Sequence, residues 1–258
     1  FQIWNLEYKI LNMKTCKLII TTVTALLMIS PMGSKAEEPL AIIKKMDKVL
    51  YGPDDQTSTV RMILTDRGGN ERIREANIWQ KGSDKRLFRF TAPAAETGIA
   101  FLSLPGEVMY IYMPAFGRER RIASHVKNQS FAGTDFTYED LEAKEYAKTY
   151  SPSLIEEKPD KYILEMVPLP SYRSDYSKLI VAVNKQHFYP ETMEAYDRGG
   201  NKVKSSVYTW KQKDGFWYAY EIHATDLKRS HSTRMIMTDV DFNTEIDDQI
   251  FTVRNLTR

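Results

Sequence analysis

The chain reads as an α+β protein built on one strongly curved antiparallel sheet, and three observations predict it. Beyond Gly52-Pro53 the dominant hydropathy period is two. Short turn-forming clusters separate the apolar stretches, as at Arg67-Gly68-Gly69-Asn70, Lys81-Gly82-Ser83-Asp84, Pro105-Gly106, Gly199-Gly200-Asn201 and Asp214-Gly215. Helical spacing is clear in one N-terminal stretch, where Leu40, Ile43, Met46, Asp47 and Leu50 predict an amphipathic helix over 38–51.

Eleven strands follow from the alternation: Thr59–Thr65, Arg72–Gln80, Arg86–Thr91, Ile99–Leu104 and Val108–Met113, then Tyr162–Val167, Lys178–Asn184, Thr192–Tyr196, Val203–Lys211, Phe216–Asp226 and Thr233–Phe242. Short links between successive strands mean antiparallel hairpins. A meander of this size curls, because sheets twist and seldom stay open and flat. Two segments interrupt it: a short crossover at Pro93–Gly98 and a longer stretch, Phe116–Lys144, in which Thr134 reads as an N-cap leading into Tyr138-Glu139-Asp140-Leu141. The pentapeptide Asp66-Arg67-Gly68-Gly69-Asn70 recurs as Asp197-Arg198-Gly199-Gly200-Asn201, each followed by a Trp nine residues on, Trp79 and Trp210. Local turn chemistry reached twice accounts for this; an ancient half-repeat would instead place the two Trp at equivalent positions.

The N-terminus predicts export. Met13-Lys14-Thr15-Cys16-Lys17 is a basic lead, Leu18–Ile29 an apolar run too short for an ordinary membrane span, and Ser34-Lys35-Ala36 a small-residue cleavage site. The expected layout is an extension plus signal peptide over 1–36, with 1–12 as extra sequence before Met13, and a single domain over 37–258. Cys16 precedes the apolar run, so no lipid anchor is expected, and the exported part has neither disulfides nor thiolate chemistry. The full chain holds 36 Lys+Arg and 34 Asp+Glu; residues 1–36 carry four and one of these, which leaves 32 against 33. That balance predicts no attraction to nucleic acid and no stable membrane insertion.

Reactive chemistry is sparse. His125, His187, His223 and His231 have no metal-motif spacing, and no nucleophile elbow or P-loop occurs, so no catalytic residue, metal or cofactor is expected. Asp135, Glu139 and Asp140 are read as acidic residues at a helix start rather than an acid–base pair. The apolar content is more telling. Arg86–Phe90, Ile99–Leu104 and Val108–Met113 are apolar on both faces, so both are covered or one lines a cavity. Met62, Met109, Met113, Met166, Met193, Met235 and Met237 all fall on predicted strands, which suits an irregular core or an irregular ligand. Candidate lining residues are Phe88, Phe90, Phe101, Met109, Ile111 and Met113; a register shift would exchange them for Leu87, Leu102, Tyr110 and Tyr112. Arg118, Arg120 and Arg121, with Phe131, Asp135, Phe136 and Tyr138, form a candidate rim and lid. The arginines either meet an anionic group at the cavity mouth or pair with Asp135, Glu139 or Asp140.

Tyr112-x-Pro114, Arg118-x-Arg120-Arg121-Ile122 and Phe131-x-Gly133-Thr134-Asp135-Phe136-x-Tyr138-Glu139-Asp140-Leu141 resemble the signature of the LolA-like outer-membrane lipoprotein-sorting proteins, the group that contains LolA, LolB and the stress sensor RseB. The branch resembled is a divergent one. The resemblance implies an unclosed half-barrel of about eleven strands with helices covering its concave face. It implies a periplasmic, monomeric, non-enzymatic carrier of lipid or lipidated-protein cargo, with an inner-membrane transporter and an outer-membrane acceptor as partners. The alternative it offers is a sensor or adaptor of the RseB kind, or an accessory to an RND-type exporter, binding a membrane protein.

Overall fold

The computed structural model describes residues 37–257. The signal-peptide reading and the small-residue cleavage site therefore lie outside the described residues. Helix α1 (Pro39–Leu50) comes first, with proline in its first turn and Ile42, Ile43, Met46 and Asp47 on its buried side. It lies one residue inside the predicted bounds at each end.

Thirteen strands follow, two more than the sequence predicted. The first six are β1 (Asp55–Thr65), β2 (Glu71–Lys81), β3 (Lys85–Ala92), β4 (Ala100–Leu104), β5 (Val108–Met113) and β6 (Arg118–Arg121). The others are β7 (Tyr150–Glu157), β8 (Lys161–Pro168), β9 (Lys178–Asn184), β10 (Pro190–Tyr196), β11 (Lys202–Lys213), β12 (Phe216–Asp226) and β13 (His231–Phe242). Short helices α2 (Tyr138–Leu141), α3 (Tyr146–Thr149) and α4 (Val253–Leu256) complete the elements used below.

The two unpredicted strands, β6 and β7, are the edges of the sheet. Arg118–Arg121 is exposed at every position, and Tyr150–Glu157 contains Pro152 and buries only Tyr150 fully. Charge and proline are what edge strands tolerate and central strands do not, so the same composition that marks an edge reads locally as a loop.

The order β6-β5-β4-β3-β2-β1-β13-β12-β11-β10-β9-β8-β7 joins two antiparallel meanders through the long β1–β13 pairing. The outer edges do not pair, and the result is a curved, open half-barrel. This topology has a consequence for the site. The chain leaves β6 at one edge and enters β7 at the other, so residues 122–149 must cross the sheet. They cross it on the concave side, where Phe131, Phe136 and Leu141 join a cluster with Val60, Met62, Phe88, Phe90, Phe101 and Met109. Helix α1 covers the other half of that face, packing Ile42, Ile43 and Met46 against Leu164, Met166, Leu179 and Val181. On the convex side, the C-terminal segment lays Ile246, Phe251 and Leu256 over Leu87, Ala100 and Leu102. Strands β3 and β4 are therefore covered on both faces, which explains their unbroken apolar runs.

One local expectation is corrected, and one choice between alternatives is resolved. Thr134 does not cap a helix: its hydroxyl donates to the Phe131 carbonyl at 2.8 Å, while Thr137 caps α2 in a reciprocal box with Asp140. The repeated pentapeptides make the same turn. Asp66 Oδ1 accepts from the backbone N–H of Gly68 and Asn70 at 2.8 and 3.0 Å, and Asp197 Oδ1 from those of Gly199 and Asn201 at 3.0 and 3.0 Å. The tryptophans that follow face opposite ways. Trp79 packs with the convex cluster, whereas Trp210 lines the concave cavity. Local turn chemistry explains the repeat.

Candidate ligand cavity

Between the crossing segment and the sheet lie two adjoining chambers that share lining residues. The first, about 160 Å³, opens where β10–β13 meet the end of α1. Its walls include Ile78 and Phe88 on one side and Tyr208, Trp210, Trp217, Met235 and Met237 on the other. The second, about 100 Å³, runs deeper beneath Phe136, Tyr146, Tyr150 and Leu179. Arg86, Asp140, Leu141, Met193, Tyr208 and Ile222 line both. Alternation along the strands builds these walls: Tyr208 and Trp210, and Met235 and Met237, are pairs two residues apart that project to one face. Trp210 is fixed by donating its indole N–H to the Pro190 carbonyl at 2.7 Å. Tyr189 stacks on Trp210 with ring centroids 5.2 Å apart and meets Trp217 edge-on at 5.1 Å, so the mouth is framed by aromatic rings.

The cavity is apolar in its walls and charged where the crossing segment closes it. Arg86 donates through Nη1 to the Leu141 carbonyl at 3.0 Å and through Nε to Gln80 Oε1 at 3.0 Å. One side chain on β3 thus ties sheet to crossing segment. Next to it, Lys127 is buried and donates to Glu107 Oε2 at 2.7 Å and Glu142 Oε1 at 3.2 Å. Lys144 donates to the Glu139 carbonyl at 2.7 Å. Burial pushes the Glu139 carboxyl up, partly offset by Lys144 and by hydrogen bonds from Ser174 and the Asp175 backbone. Burial alone would also raise Asp140, but Lys204 and the hydrogen bonds from Thr137 hold it below the usual carboxylate range. Burial raises the Tyr208 hydroxyl, which stays protonated at the cavity wall.

The predicted residues are placed as follows. Phe88, Phe90, Phe101, Met109 and Ile111 share the concave face in one buried cluster, with Met113 half-buried against it. Phe88 lines the cavity; Phe90 and Phe101 join it around Phe131, whose ring lies 5.2 Å from Phe88, 5.3 Å from Phe90 and 5.9 Å from Phe101, and Met109, Ile111 and Met113 belong to the same cluster. Tyr138 stacks on Phe101 at 5.9 Å. The opposite set, Leu87, Leu102, Tyr110 and Tyr112, faces the C-terminal segment on the convex side. Arg118, Arg120 and Arg121 are exposed on β6, and Arg120 lies over the Phe116 ring at 4.8 Å. They do not pair with the three acids proposed for them. Asp135 is held by Thr233 Oγ1 at 2.7 Å, His231 Nδ1 at 2.7 Å and Arg229 Nη2 at 3.1 Å. Asp140 is held by Lys204, and Glu139 by Ser174 and the Asp175 N–H.

Sequence reasoning missed Arg86 and the aromatic wall. A signal existed for Arg86: it sits two residues from Phe88, hence on the same apolar face, where an unpaired guanidinium would be costly. Among the described residues no group of three or more His, Cys, Asp or Glu is placed to hold a metal, and no helix is long and apolar enough to cross a membrane.

A family model described as uncharacterized-protein-like matches residues 82–258. No curated protein matches the sequence. Among solved structures, the chain is similar to a domain described as outer membrane lipoprotein-sorting from Vibrio parahaemolyticus, at 28% identity and a TM-score of 0.78 over 85% of this chain and 98% of that one. It shares its fold with a DUF1329 family protein from Desulfovibrio piger, at 24% identity and a TM-score of 0.80 over 85% and 100%. A LolA superfamily protein from Nitrosomonas europaea gives 23% identity and a TM-score of 0.70 over 84% and 98%.

Proposed function

We propose, for a chain that belongs to the LolA-like family of outer-membrane lipoprotein-sorting proteins, that it is a periplasmic carrier. It shields the acyl chains of a lipid or lipidated protein on the way toward the outer membrane. The observation that carries this reading is the concave cavity: an aromatic and methionine-rich chamber closed by a crossing segment that Arg86 ties to the sheet. Such walls take flexible apolar chains without demanding one shape. At about 0.8 kcal/mol per buried methylene, hiding six carbons contributes about 5 kcal/mol. The tail needs no reaction, only a dry surface and a way in and out.

The crossing segment is the lid in this reading. Release requires it to move, and the contacts that hold it are identifiable: Arg86 to Leu141, the Lys127 cluster, Asp135 to Thr233, His231 and Arg229, Asp140 to Lys204, Glu139 to Ser174, and Phe131 among the three phenylalanines. An inner-membrane donor and an outer-membrane acceptor are the partners expected to move it.

The test is native mass spectrometry, with lipid extraction, on protein purified from the periplasm without detergent. A co-purified acyl-chain ligand near one-to-one supports the carrier. A clean apo mass that also takes up no fluorescent fatty-acid probe overturns it.

A further inference from the structure

The inner chamber shares part of its wall with a second cleft. Tyr176 and Lys204 line the chamber and also line this polar cleft of about 330 Å³ on its far side. That cleft lies at the end of the sheet that carries the 197–201 and 227–230 turns, opposite the aromatic mouth. Apolar space and polar cleft are therefore neighbours that meet at two side chains, the arrangement an amphiphile requires.

The hydrogen-bond accounting of the cleft specifies the polar end. Each lining cation is already matched to a carboxylate. Lys228 donates to Asp197 Oδ2 at 2.8 Å, and Arg229 to Asp226 Oδ2 at 2.8 Å and Asp135 Oδ1 at 3.1 Å. Lys204 is bound to Asp140 and donates to the Tyr176 hydroxyl at 2.9 Å. The hydroxyls of Ser130 and Thr134 spend their protons on the carbonyls of Thr134 and Phe131. Asp175 is the group left over. Its nearest cation, Arg198, is 3.7 Å from Oδ1, beyond hydrogen-bond reach, with its side chain 78% exposed; Oδ2 accepts no hydrogen bond and is closed off from solvent, which leaves Oδ1 as the oxygen a head group meets. The cleft therefore presents acceptors in surplus and no uncommitted cation. A phosphate or carboxylate entering it would have to displace an aspartate from Lys228 or Arg229 and sit beside Asp175. A head group carrying several O–H donors would instead supply what the acceptors lack.

We infer that this cleft is a head-group subsite for an uncharged, hydroxyl-rich head, a sugar or polyol, on an amphiphile whose chain occupies the two apolar chambers. The inference rests on the carrier reading above. It orients the cargo, with the chain toward Trp210 and Trp217 and the head toward Asp175.

The experiment is a native mass spectrometry titration of the purified protein, below the micellar range, with three probes of one chain length: dodecyl maltoside, dodecyl phosphate and dodecyltrimethylammonium. The maltoside is expected to bind at least tenfold more tightly than the phosphate, and Asp175→Ala to remove most of that preference while the phosphate affinity holds or rises. Equal binding of all three, unchanged by Asp175→Ala, overturns the head-group subsite and leaves the carrier intact. Tightest binding of the trimethylammonium, which has no O–H donor, shows that the cleft reads positive charge and overturns the hydroxyl assignment. Binding of none overturns the carrier reading together with this one.

Discussion

Phe131→Ala separates a lid from a plug. The Phe131 ring is fully buried between Phe88, Phe90, Phe101 and Tyr138, with centroid distances from 5.2 to 6.1 Å. Truncating a buried phenylalanine costs about 3–5 kcal/mol, from lost transfer free energy and the cavity left behind. Because about 1.4 kcal/mol is a factor of ten, opening of the crossing segment becomes more favourable by about a hundredfold to a few thousandfold. If the segment opens on its own, only its amides should feel this. Hydrogen exchange read by mass spectrometry would then rise by that factor in peptides spanning residues 127–145, while β8 and β9, on the half-sheet under α1, keep their protection. An equal rise in β8 and β9, with one cooperative unfolding transition at lower denaturant, would refute the reasoning. The segment would then be a fixed part of the core, unable to gate anything.

Met235 lines both chambers, so Met235→Asp should cut alkyl-probe binding by at least tenfold; Ile222→Trp, which fills the space without charge, should do the same, and Ile73→Asp on the exposed side of β2 should not. Lys127→Ala removes the nearer of two buried lysines beside Glu142, leaving Lys144 at 3.7 Å and the Tyr172 hydroxyl at 2.7 Å, and should cost about 3 kcal/mol in urea denaturation, the low end for a broken buried pair, with Lys127→Met plus Glu142→Gln recovering more than half. Asp47 accepts from the Tyr146 and Ala147 N–H groups at 3.0 and 2.8 Å, yet burial raises its carboxyl from 3.8 to about 6. A folded value above the unfolded one means the native state holds the extra proton, so this contribution is complete below pH about 4 and is lost as pH rises through about 6. The loss is about 3 kcal/mol, and Asp47→Asn should flatten the stability profile between pH 4 and about 6.5; an unchanged slope would show that Asp47 does not titrate there.

The interior of the sheet was legible because alternation is a local signal: all seven methionines assigned to strands lie on strands. The edges were not, because β6 and β7 carry the charges and the proline that a sequence uses to end a sheet. Of the candidate site, the apolar face and the segment crossing it were legible; Phe88 borders the cavity while the other predicted lining residues sit in the adjoining cluster, and the polar partners were not legible. Asp135 pairs with residues nearly a hundred positions away, on the turn before β13 and on β13 itself, and no spacing rule announces that. Arg86 shows the same limit: its meaning comes from Leu141, which reaches it only because the chain must travel from one sheet edge to the other.

The C-terminal segment divides the sheet into a stiff half and a compliant one. Strands β3 and β4 are held between Phe131 on one side and Ile246, Phe251 and Leu256 on the other. No comparable cover lies over the convex side of β11–β13 among the described residues, where Val207 of β11 is exposed. Those three strands supply most of the aromatic and methionine wall of the cavity. The chamber is thus built like a bellows, one panel braced on both faces and the other free to bow. Accommodating a bulkier tail should displace Trp210, Trp217 and Met237 outward while the phenylalanine bed under Phe131 stays in place.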